Sequence, residues 1–212
     1  MKRLALIGSK DFAEQLQILA EETGEYKVVG YFDDFEKKGT LIRSLPVLGK
    51  IDEIVTEYTN GFFDCVFLAA GYKNFTFREL VFNKIFGKVP FATIVSPSTR
   101  IGIDVKIGQG VYIGENSKIG DRTIIGNNVF MHGDTIIAHD NEIGDHTYLS
   151  GRINTAGYCK IGRRCFVGIC VLFSEHILVV DDVWIGLGCV VAKNIKEAGK
   201  YMSPSAKLYK IE

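Results

Sequence analysis

The sequence lacks an excess of charge of either sign, since its 212 residues hold 25 lysines and arginines and 25 aspartates and glutamates. Such a balance creates no long-range field for nucleic acid or an anionic membrane, so we expect neither as a partner. It also lacks an apolar run close to the roughly 20 residues of a membrane span. No signal-peptide pattern follows Met1-Lys2-Arg3. These absences predict a cytoplasmic protein.

Paired cysteines are missing as well. The five cysteines, at positions 65, 159, 165, 170 and 189, include no CxxC motif. We therefore expect no disulfide framework and no bound metal. Cys159, Cys165 and Cys189 share one small, inward-facing position of the repeat described next, which predicts reduced core residues.

A repeat of six residues organises the second half of the chain. An aliphatic or similar residue recurs every six positions, glycine often follows it, and the residue four places on is small or β-branched. The period fits neither the 3.6 of a helix nor the alternation of a plain sheet, but it is typical of a parallel β-helix. Glycine allows the tight corners that such a fold needs. We predict a β-helix over residues 93–212. The 17 positions are Val95, Ile101, Ile107, Ile113, Ile119, Ile125, Met131, Ile137, Ile143, Leu149, Thr155, Ile161, Val167, Phe173, Val179, Ile185 and Val191.

Residues 1–92 show a different pattern, in which short apolar runs alternate with helical segments. We predict strands at 4–8, 26–31 and 65–70, and helices at about 11–23, 51–58 and 75–86. Such alternation indicates a small parallel sheet between helices, so we predict a Rossmann-like αβα domain.

The carboxyl ends of those strands are where a parallel sheet binds ligands. The dinucleotide fingerprint G-x-G-x-x-G is absent, but Asp33 or Asp34 could accept hydrogen bonds from sugar hydroxyls. Both could equally be turn residues, with Ser9 capping the following helix. The predicted substrate-binding residues are Gly8, Ser9, Lys10, Asp33, Asp34, Gly71 and Asn74.

One irregularity in the repeat marks a candidate catalytic site. Asn141 stands where a small or β-branched residue is usual, directly after His139 and Asp140. Three hexads make one coil of 18 residues, so position 157 lies one coil from position 139. A histidine can act as a general base, and the Gly157 amide could bind a thioester oxygen, which together suit acyl transfer. His139 could also be an ordinary polar corner residue.

Several short segments of the sequence also resemble those of a known protein family. The chain resembles the hexapeptide-repeat sugar O- and N-acyltransferases, the sialic acid O-acetyltransferase group, which includes N-acetyltransferases of UDP-4-amino-sugars. The runs that carry the resemblance are Tyr31-Phe32-Asp33-Asp34, Ala69-Ala70-Gly71, Ile137-Ala138-His139-Asp140, Thr155-Ala156-Gly157, Ile161-Gly162, Asp181-Asp182 and Val190-Val191-Ala192-Lys193-Asn194.

The resemblance implies a left-handed β-helix, a homotrimer, and acetyl-CoA bound between neighbouring subunits. It implies that His139 is the general base and that Asp140 orients it. The acceptor would be the amine or hydroxyl of a sugar, such as a nucleotide-linked 4-amino-sugar or sialic acid, held by the N-terminal domain during bacterial surface glycan synthesis. The implied coenzyme-binding residues are Gly157, Ile169, Gly186, Gly188 and Lys193.

The chain departs from the family in several places, among them the first loop at residues 9–12 and the polar stretch at residues 150–154. Tyr148 replaces a second histidine nine residues after the first, and Met202 to Lys207 replace a Gly-x-Pro-Ala-Lys motif. A catalytically degenerate trimeric scaffold is therefore an alternative function.

Two other enzyme classes fit the sequence less well. A β-helical zinc carbonic anhydrase would need His132, His139 and His146 to converge, but their spacing of seven puts each on a different side of the prism. Acyl transfer through a cysteine would need an exposed thiol beside a histidine, and Cys170 has no such partner in the sequence.

Overall fold

The N-terminal domain is a three-layer αβα sandwich. The computed structural model describes residues 1–69 and 74–204. The elements of this domain are β1 (Lys2–Ile7), α1 (Asp11–Glu22), β2 (Tyr26–Phe32), β3 (Leu41–Ile42), β4 (Leu45–Gly49), a 3-10 turn (Ile51–Glu53), α2 (Ile54–Thr59), β5 (Cys65–Leu68) and α3 (Phe75–Ile85).

The sheet of this domain has the strand order β3-β4-β2-β1-β5. The three predicted strands, β1, β2 and β5, are parallel, as predicted. Strand β4 is also parallel to β2, and it forms an antiparallel hairpin with β3 at the edge. The hairpin was not predicted, because its strands are too short to show alternation. Its turn at Arg43 and Ser44 uses left-handed backbone angles, φ 48° and 66°, without a glycine to signal it.

The second half of the chain is the predicted β-helix. Its 17 strands coincide with the 17 hexads, each strand ending on the repeated residue. The strands are β6 (Ile94–Val95), β7 (Arg100–Ile101), β8 (Lys106–Ile107), β9 (Tyr112–Ile113), β10 (Lys118–Ile119), β11 (Ile124–Ile125), β12 (Phe130–Met131), β13 (Ile136–Ile137), β14 (Glu142–Ile143), β15 (Tyr148–Leu149), β16 (Asn154–Thr155), β17 (Lys160–Ile161), β18 (Phe166–Val167), β19 (Leu172–Phe173), β20 (Leu178–Val179), β21 (Val183–Ile185) and β22 (Val190–Val191). A further strand, β23 (Gly199–Tyr201), follows them.

These strands form the three faces of a left-handed triangular prism. Face 1 contains β6, β9, β12, β15, β18, β21 and β23; face 2 contains β7, β10, β13, β16, β19 and β22; face 3 contains β8, β11, β14, β17 and β20. We name the corners by the faces they join. Corner 1–2 includes residues 132–135, 150–153, 168–171 and 186–189. Corner 2–3 includes 120–123, 138–141, 156–159, 174–177 and 192–195. Corner 3–1 includes 126–129, 144–147, 162–165 and 180–183.

The repeated residues form the prism core. Most of them are buried, and they pack in one continuous cluster with the small residues four places on. Burying one aliphatic side chain contributes about 1.5–3 kcal/mol, so these stacked columns supply most of the stability of the prism. The side chains of Cys159, Cys165 and Cys189 point into this core, as predicted, and all five cysteines are free thiols.

The N-terminal domain packs on face 1. Phe12 contacts the outward rings of Tyr112 and Phe130, at centroid distances of 6.0 and 5.3 Å. Arg78 lies 4.1 Å above the Phe130 ring and donates to the backbone and side-chain oxygens of Asn128, at 3.2 and 2.7 Å. In a triangular prism, the corner opposite face 1 is corner 2–3. The N-terminal domain and His139 therefore lie on opposite sides of the same chain.

The described helices are short. Within residues 1–69 and 74–204, no helix has the length and apolarity needed to cross a bilayer, and α1 has only 12 residues.

Candidate active site

His139 lies at corner 2–3 with half of its side chain exposed, at 51%. Its Nδ1 is 2.7 Å from Oδ2 of Asp140, the next residue. An ionised carboxylate can only accept, so Nδ1 carries the hydrogen and the lone pair is on Nε2. The geometry therefore leaves Nε2 able to take a proton.

Arg122 lies one coil before Asp140 and binds it through two parallel hydrogen bonds. Its Nε is 2.8 Å from Oδ1, and its Nη2 is 2.7 Å from Oδ2. Hydrogen bonds from Arg122 and then from His139 lower the pKa of Asp140 to about 2. The carboxylate is therefore ionised at any pH at which the protein would work.

Gly157 lies beside the imidazole, one coil on from His139, as predicted. A Cβ at this position would be 2.8 Å from Cε1 and 3.0 Å from Nε2 of His139. Only glycine therefore leaves the ring where it is, because Cβ atoms do not approach so closely.

The backbone N–H of Gly157 is open. At four equivalent positions, one at corner 2–3 and three at corner 3–1, an aspartate or asparagine one coil on accepts this hydrogen bond. One coil beyond Gly157 the residue is Glu175, and within the described chain the Gly157 N–H has no acceptor. An uncapped amide next to a base can donate to a carbonyl oxygen on which negative charge develops. The capped N–H groups are those of Ile103 (by Asp121), Gln109 (by Asn127), Asn127 (by Asp145) and Arg163 (by Asp181).

Asn141 holds the two loops of this site together. Its side chain is fully buried, and its amide nitrogen donates to the carbonyls of Ala138 at 2.8 Å and Ala156 at 3.1 Å. Its oxygen accepts from the N–H of Cys159 at 2.9 Å. The irregularity in the repeat therefore ties the loop of His139 to the loop of Gly157.

The predicted coenzyme residues divide between two corners. Gly157 and Lys193 lie at corner 2–3, whereas Ile169, Gly186 and Gly188 lie at corner 1–2. Ile169 is 46% exposed, so its side chain is available to a ligand. Face 2 separates the two groups, and one chain does not bring them into a single groove.

The predicted acceptor residues at β1 and β2 lie together at the carboxyl edge of the sheet. The Ser9 hydroxyl donates to Oδ2 of buried Asp33 at 2.6 Å, and its N–H donates to the same oxygen at 3.1 Å. Gly8 precedes this contact with φ 98°, and Lys10 lies 5.9 Å above the ring of Phe35. Asp33 thus shapes the loop of residues 8–10.

The other two described acceptor candidates have local structural roles. Asp34 is exposed, and its Oδ1 accepts from the N–H of Ile51 at the start of the 3-10 turn, at 3.0 Å. Asn74 caps α3 by accepting from the N–H of Phe77 at 2.9 Å. Gly71 lies outside the described residues, as does the segment 205–207 of the altered C-terminal motif.

The alternative sites do not assemble within the chain. His132, His139 and His146 lie at corners 1–2, 2–3 and 3–1, so they diverge as predicted. No cluster of three potential ligands for a metal occurs in the part of the chain that the structure describes. Cys170 is exposed at corner 1–2, away from His139.

Arg122 was not predicted as a site residue. It lies 18 residues before Asp140, so the coil length that paired His139 with Gly157 would also have found it. The sequence signal was therefore present, but nothing in a single sequence shows which of the neighbouring charges a carboxylate binds.

Comparison with known proteins agrees with this architecture. Residues 3–85 match the family described as PglD N-terminal domain, and residues 98–133 match bacterial transferase hexapeptide (six repeats). A UDP-3-O-acylglucosamine N-acyltransferase of Bordetella pertussis is 37% identical over 73 residues, which are 34% of this chain and 20% of that protein. The chain thus matches about a fifth of the length of this relative.

Solved structures match over nearly the whole chain. The acetyltransferase domain of PglB from Neisseria gonorrhoeae superposes with a TM-score of 0.84 at 20% identity, covering 96% of this chain and 97% of that one. PerB from Caulobacter crescentus, in complex with CoA and GDP-perosamine, also has a TM-score of 0.84 at 20% identity, covering 98% and 97%. The resemblance predicted from the sequence is confirmed: the chain joins a PglD-type N-terminal domain to bacterial transferase hexapeptide repeats, in the fold of these two acetyltransferases.

Proposed function

We propose that the protein transfers an acetyl group from acetyl-CoA to the amine or hydroxyl of a nucleotide-linked sugar, in the synthesis of bacterial surface glycans. The observation that carries the proposal is the His139–Asp140 pair beside the open N–H of Gly157. The PglB domain has also been solved in complex with acetyl coenzyme A, and the PerB structure holds CoA and GDP-perosamine, which supports the same pair of ligands here.

The reaction proceeds in one ternary complex. Nε2 of His139 removes a proton from the acceptor, whose nitrogen or oxygen forms a bond to the thioester carbon. The Gly157 N–H donates to the carbonyl oxygen while that oxygen carries negative charge. The carbon–sulfur bond then breaks, the imidazolium returns its proton to the thiolate, and CoA leaves.

The active unit is a homotrimer, because one chain separates the parts of the site. The N-terminal domain and the corner of Ile169 lie away from the corner of His139. A cyclic trimer with face 2 towards its axis would bring corner 2–3 of one subunit against corner 1–2 of the next. Face 2 carries exposed apolar side chains suited to such burial, at Ile136, Leu172 and Val190.

The activity is tested by CoA release with a panel of nucleotide-linked amino sugars and sialic acid as acceptors. We expect one nucleotide-linked amino sugar to give turnover that His139→Ala abolishes. A folded protein that binds these ligands without releasing CoA would instead support the degenerate scaffold.

The shared site is tested by mixing two inactive chains. His139→Ala removes the base, and Ile169→Glu places a negative charge on the opposite corner. In randomly mixed trimers, about a quarter of the interfaces pair two intact corners, so activity should return. If all parts of the site belonged to one chain, mixing would restore nothing.

A further inference from the structure

Asp140 is shared between the Arg122 guanidinium and the His139 imidazole through one oxygen. Its Oδ2 is 2.7 Å from Nδ1 of His139 and 2.7 Å from Nη2 of Arg122, while its Oδ1 accepts from Nε of Arg122. The guanidinium thus binds the carboxylate at two points, and the imidazole binds at one. Asp140 is in a left-handed conformation, φ 57°, so its side chain leaves the corner in a direction fixed by the backbone.

We propose that Arg122 is a positioning residue for the transfer reaction: it orients the Asp140 carboxylate towards Nδ1 of His139 and offsets its charge, so that the imidazole is a neutral base. This inference rests on the proposed function. It assigns a role to a residue whose hydrogen bonds, among the described residues, go to Asp140 and not to the base.

The physical reason is the balance of charge around the imidazole. A carboxylate alone stabilises the protonated ring, which cannot accept a proton from the acceptor. A guanidinium on the same oxygen disfavours a second positive charge, so it opposes this effect. The two-point geometry also prevents rotation of the carboxylate, because an Arg–carboxylate fork is directional.

Other charged and titratable groups surround the ring less closely. The Tyr158 ring lies edge-on to His139 at a centroid distance of 5.2 Å, and His176 stacks on Tyr158 at 4.8 Å. In the column of His139, Asp121 precedes it by one coil, and Glu175 and Lys193 follow two and three coils on. Among the described residues, only Asp140 is hydrogen-bonded to the ring. Arg122 binds the same carboxylate, so it acts on the base through a single intervening residue.

Corner 3–1 provides a matched control. Arg164 binds Asp182, also 18 residues on, with Nε to Oδ1 at 2.7 Å and Nη2 to Oδ2 at 2.8 Å. The residue before Asp182 is Asp181 instead of a histidine. Arg164→Gln therefore removes an Arg–Asp pair of the same geometry, together with a 3.4 Å contact to Glu79 of the N-terminal domain, without changing the surroundings of the base.

The experiment measures kcat/KM against pH for the wild type, Arg122→Gln, Arg122→Lys and Arg164→Gln, at saturating acetyl-CoA. The acceptor is the nucleotide-linked amino sugar with the fastest CoA release. For Arg122→Gln we expect the acid limb of the pH profile to move to higher pH, with kcat lowered about tenfold and the KM for acetyl-CoA within twofold. Arg122→Lys should restore the position of the limb but only part of kcat, and Arg164→Gln should match the wild type.

An acid limb that stays in place or moves to lower pH in Arg122→Gln overturns the inference. If His139→Ala is inactive in the same series, the proposed function survives that result. NMR titration of the His139 Cε1 proton in wild type and Arg122→Gln gives the same comparison without any acceptor. Equal midpoints in that titration would also overturn the inference.

Discussion

Corners 2–3 and 3–1 of the prism are built from the same parts. Each has an arginine that binds an aspartate one coil on, with all four residues in left-handed conformations at φ between 53° and 61°. Each also has a histidine, His139 at corner 2–3 and His146 at corner 3–1. His139 has 51% of its side chain exposed, whereas His146 has 3%.

The neighbours of the two histidines explain this difference. The N-terminal domain covers His146 with Phe82, whose ring centroid is 5.4 Å away, and with Glu79, whose Oε1 is 3.9 Å from Nε2. Nδ1 of His146 accepts from the Asn128 amide at 2.9 Å. His139 has a carboxylate on Nδ1, and its Nε2 has no hydrogen-bond partner among the described residues. The same repeat thus supports a structural histidine under the domain and a candidate base away from it.

The largest expected effect separates these two histidines. His139→Ala should lower kcat by about 10²- to 10⁴-fold, which is the usual contribution of a positioned general base. Its melting temperature should barely change, because the side chain is half exposed. His146→Ala should show the reverse, with near-normal kcat and a clear loss of thermal stability. Full activity of folded His139→Ala would end the catalytic assignment.

An intermediate effect is expected at Gly157. Gly157→Ala places a methyl group within about 3 Å of the imidazole, so the ring must move. A displacement of this size should lower kcat about 10- to 100-fold. Stopped-flow measurement of single turnovers distinguishes slower chemistry from slower product release. An unchanged rate would show that the ring does not act from its present position.

The smallest expected effect is the response of stability to acid. Burial lowers the pKa of His132 and of His146. The unfolded chain then binds more protons than the folded one, so stability is complete above about pH 6.5 and falls below it. Asp140 and Asp182, whose pKa values are lowered by their arginines, add losses only below about pH 4.

Thermal unfolding between pH 7 and 5 tests whether the buried histidines cause this loss of stability. The wild-type melting temperature should fall over this range, and His146→Asn should reduce the slope. Equal slopes in wild type and His146→Asn would show that His146 does not carry the acid sensitivity.

Periodicity alone was enough to predict the prism. Each hexad places one aliphatic residue in the core and then turns at a corner of small residues. Because three hexads make one coil, residues 18 positions apart stack on each other. The same arithmetic placed Gly157 beside His139. The functions of Asp33, Asp34 and Asn74 could not be predicted in the same way, because a polar residue after a strand can cap a turn or face a ligand.

The sequence by itself therefore determined the number of coils, their register and the column that holds His139 and Gly157. Only the tertiary structure decided that the N-terminal domain lies on face 1, opposite that column. The reason is that this contact depends on the outward rings of Tyr112 and Phe130, which the period of six does not constrain. It also decided that Asp140 binds Arg122, because side-chain pairing depends on three-dimensional proximity and direction.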